Sequence, residues 1–307
     1  MRRSTTFAGT EAFAGTERSV PAESRPGPRP ARLSRLLLGA MLVAQFTIAS
    51  VVIAGRPSTA SEPSAREVQV VNLAGARADG LLSRVRAEMA TAAGAVERFW
   101  GTDWTREIVV VATGTPGQFV AEAGLDPRGE WGDIAAVSVA EYVDPVRRRT
   151  SGQRIVLAPG AAGMSDSALR IVLAHELFHL AARADTAVDA PRWLTEGVAD
   201  FVARPPVALP PDADFSTALP SDADLDRAGP DRSAGYDRAW WFARFVADTY
   251  GAEGLRRLYE RACGPGHGDL GESVRAALGE DLVEVSDSWA AWLGERSAAS
   301  AGTLLGR

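Results

Sequence analysis

The sequence predicts an α+β domain preceded by one transmembrane helix. Short β-type segments occur within residues 67–158, helical apolar spacing dominates after residue 165, and one uncharged run of twenty residues lies near the N-terminus. The chain has 307 residues, 46% hydrophobic and 23% charged, which excludes a wholly disordered or collagen-like chain. Because no internal repeat is present, one compact domain of about 230 residues is the simplest organisation of the remainder.

The uncharged run at residues 36–55 is flanked by Arg35 and Arg56, and twenty helical residues are enough to span the hydrocarbon core of a membrane. The preceding segment is rich in arginine, so the positive-inside rule keeps residues 1–35 as a basic cytoplasmic tail and exports the rest. We therefore expect a single-pass anchor in the cell membrane, with an extracytoplasmic domain at residues 67–300.

The segment after the anchor leaves one alternative open. Residues 56–66 contain Pro, Ser and Ala in the proportions of a short flexible linker. Within it, residues 58–60 match the small-x-small preference of signal-peptide cleavage. Residues 36–55 would then be a signal sequence, and the domain would be secreted.

Charge and cysteine usage exclude several classes of function. All 33 basic residues are arginines, and the formal net charge of the chain is −6. Residues 1–60 contain eight arginines and three glutamates, a charge of +5, so residues 61–307 carry a charge of −11. An acidic body argues against a nucleic-acid partner. Cys263 is the only cysteine, which excludes an intrachain disulfide and a cysteine-based zinc site. We expect Cys263 to be a small apolar residue between helices.

The order of the predicted elements gives a small mixed sheet followed by a mainly helical lobe. A Val-Val-Val run at residues 107–112 is typical of a buried strand, and the apolar spacing of residues 76–100 is that of a helix that ends before Gly101. The predicted strands are 67–73, 107–112, 134–142 and 154–158, and the predicted helices are 76–100, 116–123, 165–183, 190–203, 236–250, 253–263, 269–278 and 283–297.

The helix predicted at residues 165–183 contains the motif H-E-x-x-H, formed by His175, Glu176 and His179. Four residues is slightly more than one helical turn, so both imidazoles project from one face and can bind one metal ion, while Glu176 can reach a water on that ion. The rest of the helix is apolar, and polar groups in a buried wall need partners, which a metal provides. A surface helix can carry this motif by chance, but two of the only three histidines fall within it.

A second polar motif follows in the segment W-L-T-E-G-V-A-D, where Glu196 and Asp200 are four residues apart on one helix face. Glu196 follows His179 by 17 residues, which is enough chain to turn and bring a second helix back against the first. We expect Glu196 to be the third zinc ligand, and Asp200 to accept a hydrogen bond from a ligand imidazole.

The segments HELFH and WLTEGVADF together resemble the gluzincin metallopeptidases, and most closely the bacterial peptidase MA-like family. The resemblance covers about residues 67–297 in layout, and its specific motifs occupy about 25 residues. It implies a zincin-like catalytic domain in which His175, His179 and Glu196 hold Zn²⁺. It also implies that Glu176 is the general base and that Asp200 supports the ligands.

Three protein ligands leave a fourth position for water, which is typical of a catalytic rather than a structural zinc site. Glu176 would take the proton of the attacking water and then protonate the leaving amine. The oxyanion that forms needs a further hydrogen-bond donor. Tyr236, at the start of a predicted helix, is the preferred candidate, and His267, in a Gly-rich turn, is the alternative.

Three further expectations concern the surroundings of the site. A peptide would bind by adding a strand to the sheet edge beside the zinc, with residues 134–139 as the first candidate for that edge and 154–158 as the second. Residues 204–235 are rich in Pro and Asp and are expected to form a solvated lid, with a calcium site as the less favoured alternative. Trp240 and Trp241 are expected to be core or wall residues.

The sequence therefore predicts a membrane-anchored, extracytoplasmic zinc metallopeptidase that hydrolyses a peptide or protein substrate through a zinc-activated water. Two alternatives remain open. One is a catalytically silent zinc-binding scaffold module, against which the intact Glu176 argues. The other is a zinc hydrolase that acts on a non-peptide amide or ester. Nothing in the sequence indicates the oligomeric state.

Overall fold

The computed structural model describes residues 66–129, 131–209, 216–227 and 230–305. Its strands and helices follow one another in the order β1 (Glu67–Asn72), α1 (Asp79–Trp100), β2 (Glu107–Ala112), α2 (Pro116–Ala123), β3 (Ala136–Val139), β4 (Tyr142–Asp144), β5 (Arg149–Ser151), β6 (Arg154–Leu157), α3 (Asp166–Ala182), α4 (Arg192–Ala203), α5 (Asp222–Leu225), α6 (Pro230–Cys263), α7 (Leu270–Leu278) and α8 (Leu282–Leu305). This order confirms the predicted α+β layout, with a small mixed sheet followed by a mainly helical lobe.

Four strands form one mixed sheet in the order β1-β2-β6-β3. β1, β2 and β6 are parallel, and β3 pairs antiparallel with β6 at one edge. Of the two candidate edges for substrate, residues 134–139 do contain an edge strand. The second candidate, residues 154–158, is wrong, because β6 lies between β2 and β3 and both of its sides are already paired.

The strand predicted at residues 134–142 is shorter in the structure. β3 ends at Val139, and the chain then forms a separate hairpin of β4 and β5, which the sequence did not predict. The backbone N–H of Arg147 donates to the side chain of Asp144 in the hairpin turn. The interruption itself lies at Ala140 and Glu141, where the backbone N–H of Glu141 donates to Ser151 of the hairpin instead of continuing the pairing with β6.

The helical lobe is built around α3 and α4. α3 contacts α1 and α4, and α4 in turn contacts α6. α6 bends at Gly251, whose φ of 80° is left-handed, at the place where the sequence predicted two helices at 236–250 and 253–263. Trp240 and Trp241 are buried, as expected.

The described part of residues 204–235 includes one short helix that packs against the lobe. α5 begins with a capping box formed by Ser221 and Asp224, and both Asp224 and Leu225 are buried. Asp224 also forms an ion pair with Arg238 of α6, so this short helix is held against the lobe. The expectation of a fully solvated segment therefore fails at α5, although most of the described residues around it are exposed, and a role as a lid stays a prediction.

Two sequence predictions concern the N-terminus and the cysteine. The predicted tail, the anchor at residues 36–55 and all but the last residue of the linker lie outside the described residues. None of the helices in the described part of the chain is long and apolar enough to span a membrane. Cys263 is fully buried and forms no disulfide, and burial raises the pKa of its thiol, as expected for an apolar packing role.

We predict that Gly197→Ala lowers the free energy of unfolding by about 1–3 kcal/mol, measured by urea denaturation. A Cβ at this position would overlap the backbone carbonyl of Ala239, so α4 and α6 would have to separate. Gly80→Ala in α1 is the control, because an added Cβ there meets no atom within 4 Å and alanine favours a helix. Equal destabilisation by both substitutions would contradict this close contact.

Candidate metal centre

α3 carries two candidate ligands on one face. The helix begins where the Ser165 side chain accepts a hydrogen bond from the backbone N–H of Ala168, and most of its later residues are buried and apolar. Because His175 and His179 are one turn apart, their rings converge. The two Nε2 atoms lie 3.1 Å from each other.

Glu196 of α4 reaches the same point from the neighbouring helix. Its Oε2 lies 3.1 Å from Nε2 of His175 and 3.5 Å from Nε2 of His179. Ligand atoms of a tetrahedral zinc ion, each about 2.0–2.1 Å from the metal, lie about 3.3 Å apart. The observed separations match that geometry, so the three side chains fit one ion. Within the described residues, no other group of three or more such side chains converges in this way.

Asp200 orients one of the ligands. Its Oδ1 lies 2.9 Å from Nδ1 of His175. Because an ionised carboxylate can only accept a hydrogen bond, Nδ1 carries a proton, which leaves Nε2 as the atom that can bind a metal once it is deprotonated. The predicted supporting role of Asp200 therefore agrees with the geometry, since the bond directs the lone pair toward Glu196 and His179.

A charged network continues behind Asp200. Arg204 Nη2 lies 2.7 Å from Asp200 Oδ2, and Arg204 Nη1 lies 2.6 Å from Asp237 Oδ1 on α6. The guanidinium also lies over the ring of Trp240, 4.8 Å from its centre. Sequence reasoning missed this network. The spacing of Arg204 four residues after Asp200 was a usable signal, but the contact with Asp237 is visible only in the fold.

The electrostatics of the cluster follow from its burial and its opposite charges. Burial alone would lower the pKa of His175, but its contacts with Asp200 and Glu196 raise that pKa well above its usual value. Burial alone would raise the pKa of Glu196, but the two imidazoles hold it well below its usual range. Without a metal, the cluster therefore favours an ionised Glu196 beside a protonated His175, and a metal ion that binds here would displace the proton from Nε2.

The cluster opens into a cavity of about 660 Å³. Its walls come from β3, α3, α4 and α6, and the segment after α3 forms one end. Glu176 lies in the wall beside the metal-ligating face and is 7% exposed. The three candidate ligands and the candidate general base therefore share one space that a substrate can enter.

The two candidate oxyanion donors differ in position. Tyr236, in the first turns of α6, lines the cavity, and burial together with the negative charge of Glu196 raises the pKa of its hydroxyl. His267 does not line the cavity. Its Nδ1 lies 2.9 Å from the carbonyl oxygen of Gly268, and its Nε2 lies 3.5 Å from Asp189. The alternative role of His267 at the site is therefore wrong, because its ring is held in its own loop.

Comparisons with known proteins identify no relative: no family model, no curated protein and no solved structure matches the chain. The assignment of this site therefore rests on its own residues and on the motif resemblance.

We predict that the chain binds one Zn²⁺ ion per molecule and that His179→Ala abolishes this binding, since one of three ligands is lost. Zinc content after dialysis, measured by atomic absorption, tests the prediction. His267→Ala removes the third histidine, which lies away from the cavity, so this variant should retain zinc. Loss of zinc from the His267 variant alone would place the metal elsewhere.

We also predict that Asp200→Asn weakens zinc binding by about 10- to 100-fold, because the hydrogen bond that orients His175 is weakened. Competition with a chelator of known zinc affinity measures the change. Asp248→Asn is the matched control, because Asp248 pairs with Arg244 and Arg296 in ion pairs away from the cluster. An affinity that is the same in all three proteins would show that Asp200 does not orient a ligand.

Proposed function

We propose that this chain is a zinc metallopeptidase of the zincin type. One observation carries the proposal: two imidazoles and a carboxylate converge at separations that suit a tetrahedral ion, and Glu176 lies beside them in the same open cavity. A structural zinc site has four protein ligands and no use for a base, whereas a catalytic site has three and keeps a position open.

Zinc is the metal that this donor set favours. Nitrogen donors from two histidines and one carboxylate oxygen at near-tetrahedral separations suit Zn²⁺ better than Mg²⁺ or Ca²⁺, which prefer six or more oxygen ligands. When bound, zinc supplies Lewis-acid polarisation of a carbonyl and lowers the pKa of water to about 7.

The chain's own residues carry the proton transfers. Glu176 accepts a proton from the attacking water and returns it to the amine of the leaving group. Tyr236, which reaches the cavity from α6, donates its O–H to the carbonyl oxygen as negative charge develops there. The raised pKa of Tyr236 supports this role, because the hydroxyl keeps its proton at neutral pH and can act as a donor.

The edge strand offers the substrate a backbone template. The backbone N–H of Ala158 donates to the carbonyl oxygen of Ala135, so these two residues form a hydrogen-bonded pair. Along an antiparallel ladder, every second residue pairs in this way, and the residues between point their backbone groups to the other side. Ala136 and Ser138 therefore direct their N–H and C=O groups away from β6. These residues also line the cavity. We propose that an extended peptide pairs with this free edge, which would lay its backbone across the metal cluster.

The cellular setting forms part of the same proposal. The basic tail at residues 1–35 and the apolar run at 36–55 would anchor the domain in the cell membrane with the site on the extracytoplasmic side. Together with the resemblance of the two motifs to gluzincins of the peptidase MA-like family, this supports a peptidase that acts on peptides or proteins outside the cytoplasm.

We predict that Glu176→Gln lowers peptide hydrolysis by at least about 100-fold while zinc stays bound, because the amide cannot accept a proton. A fluorogenic peptide library and zinc analysis of the same samples test this. Glu253→Gln, at an exposed position of α6, is the matched control and should leave the rate unchanged.

The other outcomes of this experiment separate the alternatives. Full activity of the zinc-loaded Glu176 variant would overturn the mechanism. Zinc binding by the unmodified chain without turnover of any peptide would favour a scaffold module, and turnover of small amides or esters alone would favour a non-proteolytic hydrolase.

A further inference from the structure

One cavity wall holds an arginine that contacts the sheet edge and forms no ion pair with a carboxylate of the described residues. Arg204 pairs with Asp200 and Asp237, and Arg232 pairs with Asp133 at 3.2 Å. Arg183 also lines the cavity, but among the described residues it forms no ion pair with a carboxylate. Its neighbour Asp185 is already bound to Arg148.

Arg183 belongs to the same helix face as the metal site. It follows His179 by four residues and Glu176 by seven, and its backbone continues the helical conformation of α3. At a rise of 1.5 Å per residue, it lies about 6 Å beyond His179 along the axis. Since one extended residue spans about 3.3 Å, its long side chain reaches substrate positions one to three residues from the bond that is cleaved.

The guanidinium is held at the free edge of the sheet. Nη2 of Arg183 donates to the carbonyl oxygen of Ser138 at 2.9 Å and to its hydroxyl at 2.7 Å. Nε is buried without a hydrogen-bond partner, and Nη1 forms no hydrogen bond with the described residues. Burial lowers the pKa of Arg183, and the negative charge of Glu176 offsets this effect only in part. The charge of the buried guanidinium is therefore not fully balanced by a nearby carboxylate.

The same contact limits how far a substrate strand can pair. Beyond Ala136, the next outward carbonyl of β3 is that of Ser138, and Arg183 already occupies it. A peptide that pairs with this edge would bond one of its N–H groups to the Ser138 carbonyl, but it meets the guanidinium of Arg183 at that position instead. A carboxylate at that point needs no N–H, and it can accept a charge-assisted hydrogen bond from Nη1, the guanidinium nitrogen that neither donates to Ser138 nor is buried without a partner.

On the basis of the proposed function, we infer that the site selects substrates that carry a carboxylate close to the scissile bond, and that Arg183 binds it. The carboxylate can be the C-terminus of the peptide or the side chain of an Asp or Glu residue. Both offer the same chemistry to Arg183, which makes this arginine a specificity-determining residue.

Peptide pairs that differ only in one carboxylate test this inference. One arm compares a free C-terminal acid with its amide, and the other compares internal Asp with Asn in peptides with amidated ends. We expect kcat/KM to be about 10- to 100-fold higher for the acidic member in at least one arm. The arm that responds identifies the source of the carboxylate.

Variants assign the preference to Arg183. Arg183→Gln should reduce the ratio within the responding pair to about one, while Arg183→Lys, which keeps a charge but replaces the planar guanidinium with a single ammonium group, should retain an intermediate ratio. Arg232→Gln is the matched control, because this cavity arginine is already paired, and it should leave the ratio unchanged. The zinc content of each variant shows that the metal site is intact.

Binding to the Glu176→Gln protein, measured by calorimetry with the same peptide pairs, separates this inference from the proposed function. Tighter binding of the acidic member that disappears with Arg183→Gln supports the inference even without turnover. Equal binding or cleavage of both members, or a preference that survives Arg183→Gln, overturns the inference and leaves a peptidase in place. Failure of every peptide to bind or to be cleaved overturns both.

Discussion

The arrangement of this domain depends on the cost of burying polar groups in an apolar wall. From Ile171 to Ala182, α3 is apolar apart from His175, Glu176 and His179, and this part of the helix lies against the core. Buried imidazoles and carboxylates are tolerated only when they find partners. The contact of α3 with α4 supplies these partners, because Glu196 and Asp200 meet His175 through its two ring nitrogens. The residues of the candidate metal centre therefore also satisfy one another's buried polar groups.

α6 connects this cluster to the rest of the lobe. The absence of a side chain at Gly197 lets the Ala239 backbone approach α4, directly beside Glu196. The same helix presents Tyr236 to the cavity, and Asp237 completes the chain of contacts from His175 through Asp200 and Arg204. The position of Glu196 and the position of the proposed oxyanion donor are therefore set by one helix contact. Trp193 of α4 packs edge-on against Phe242 of α6 at this contact, and Phe242 in turn packs against Phe245 and Trp289.

The cavity has an asymmetric distribution of charge. On the side of α4 and α6, each arginine is paired with aspartate, whereas at the C-terminal end of α3 the guanidinium of Arg183 faces the edge strand without such a partner. A substrate strand on β3 would run between the metal cluster and this cation. If the proposed peptidase activity holds, catalysis and selectivity are carried by one stripe of α3, with the base and ligands in its middle and the selecting group one turn later.

Local periodicity made much of the site visible in the sequence. His175, Glu176 and His179 share a face because of helical geometry alone, and the spacing of Glu196 and Asp200 follows the same rule, so these five residues could be named before the fold was known. The order of strands and helices was also predictable, since apolar runs and helical spacing are local signals. The hairpin of β4 and β5, the interior place of β6 and the buried state of Asp224 depend on partners distant in the chain. For the same reason only the tertiary structure could exclude His267, link Arg204 to Asp237, and show that Arg183 contacts Ser138 at the sheet edge and forms no ion pair with a carboxylate in the described part of the chain.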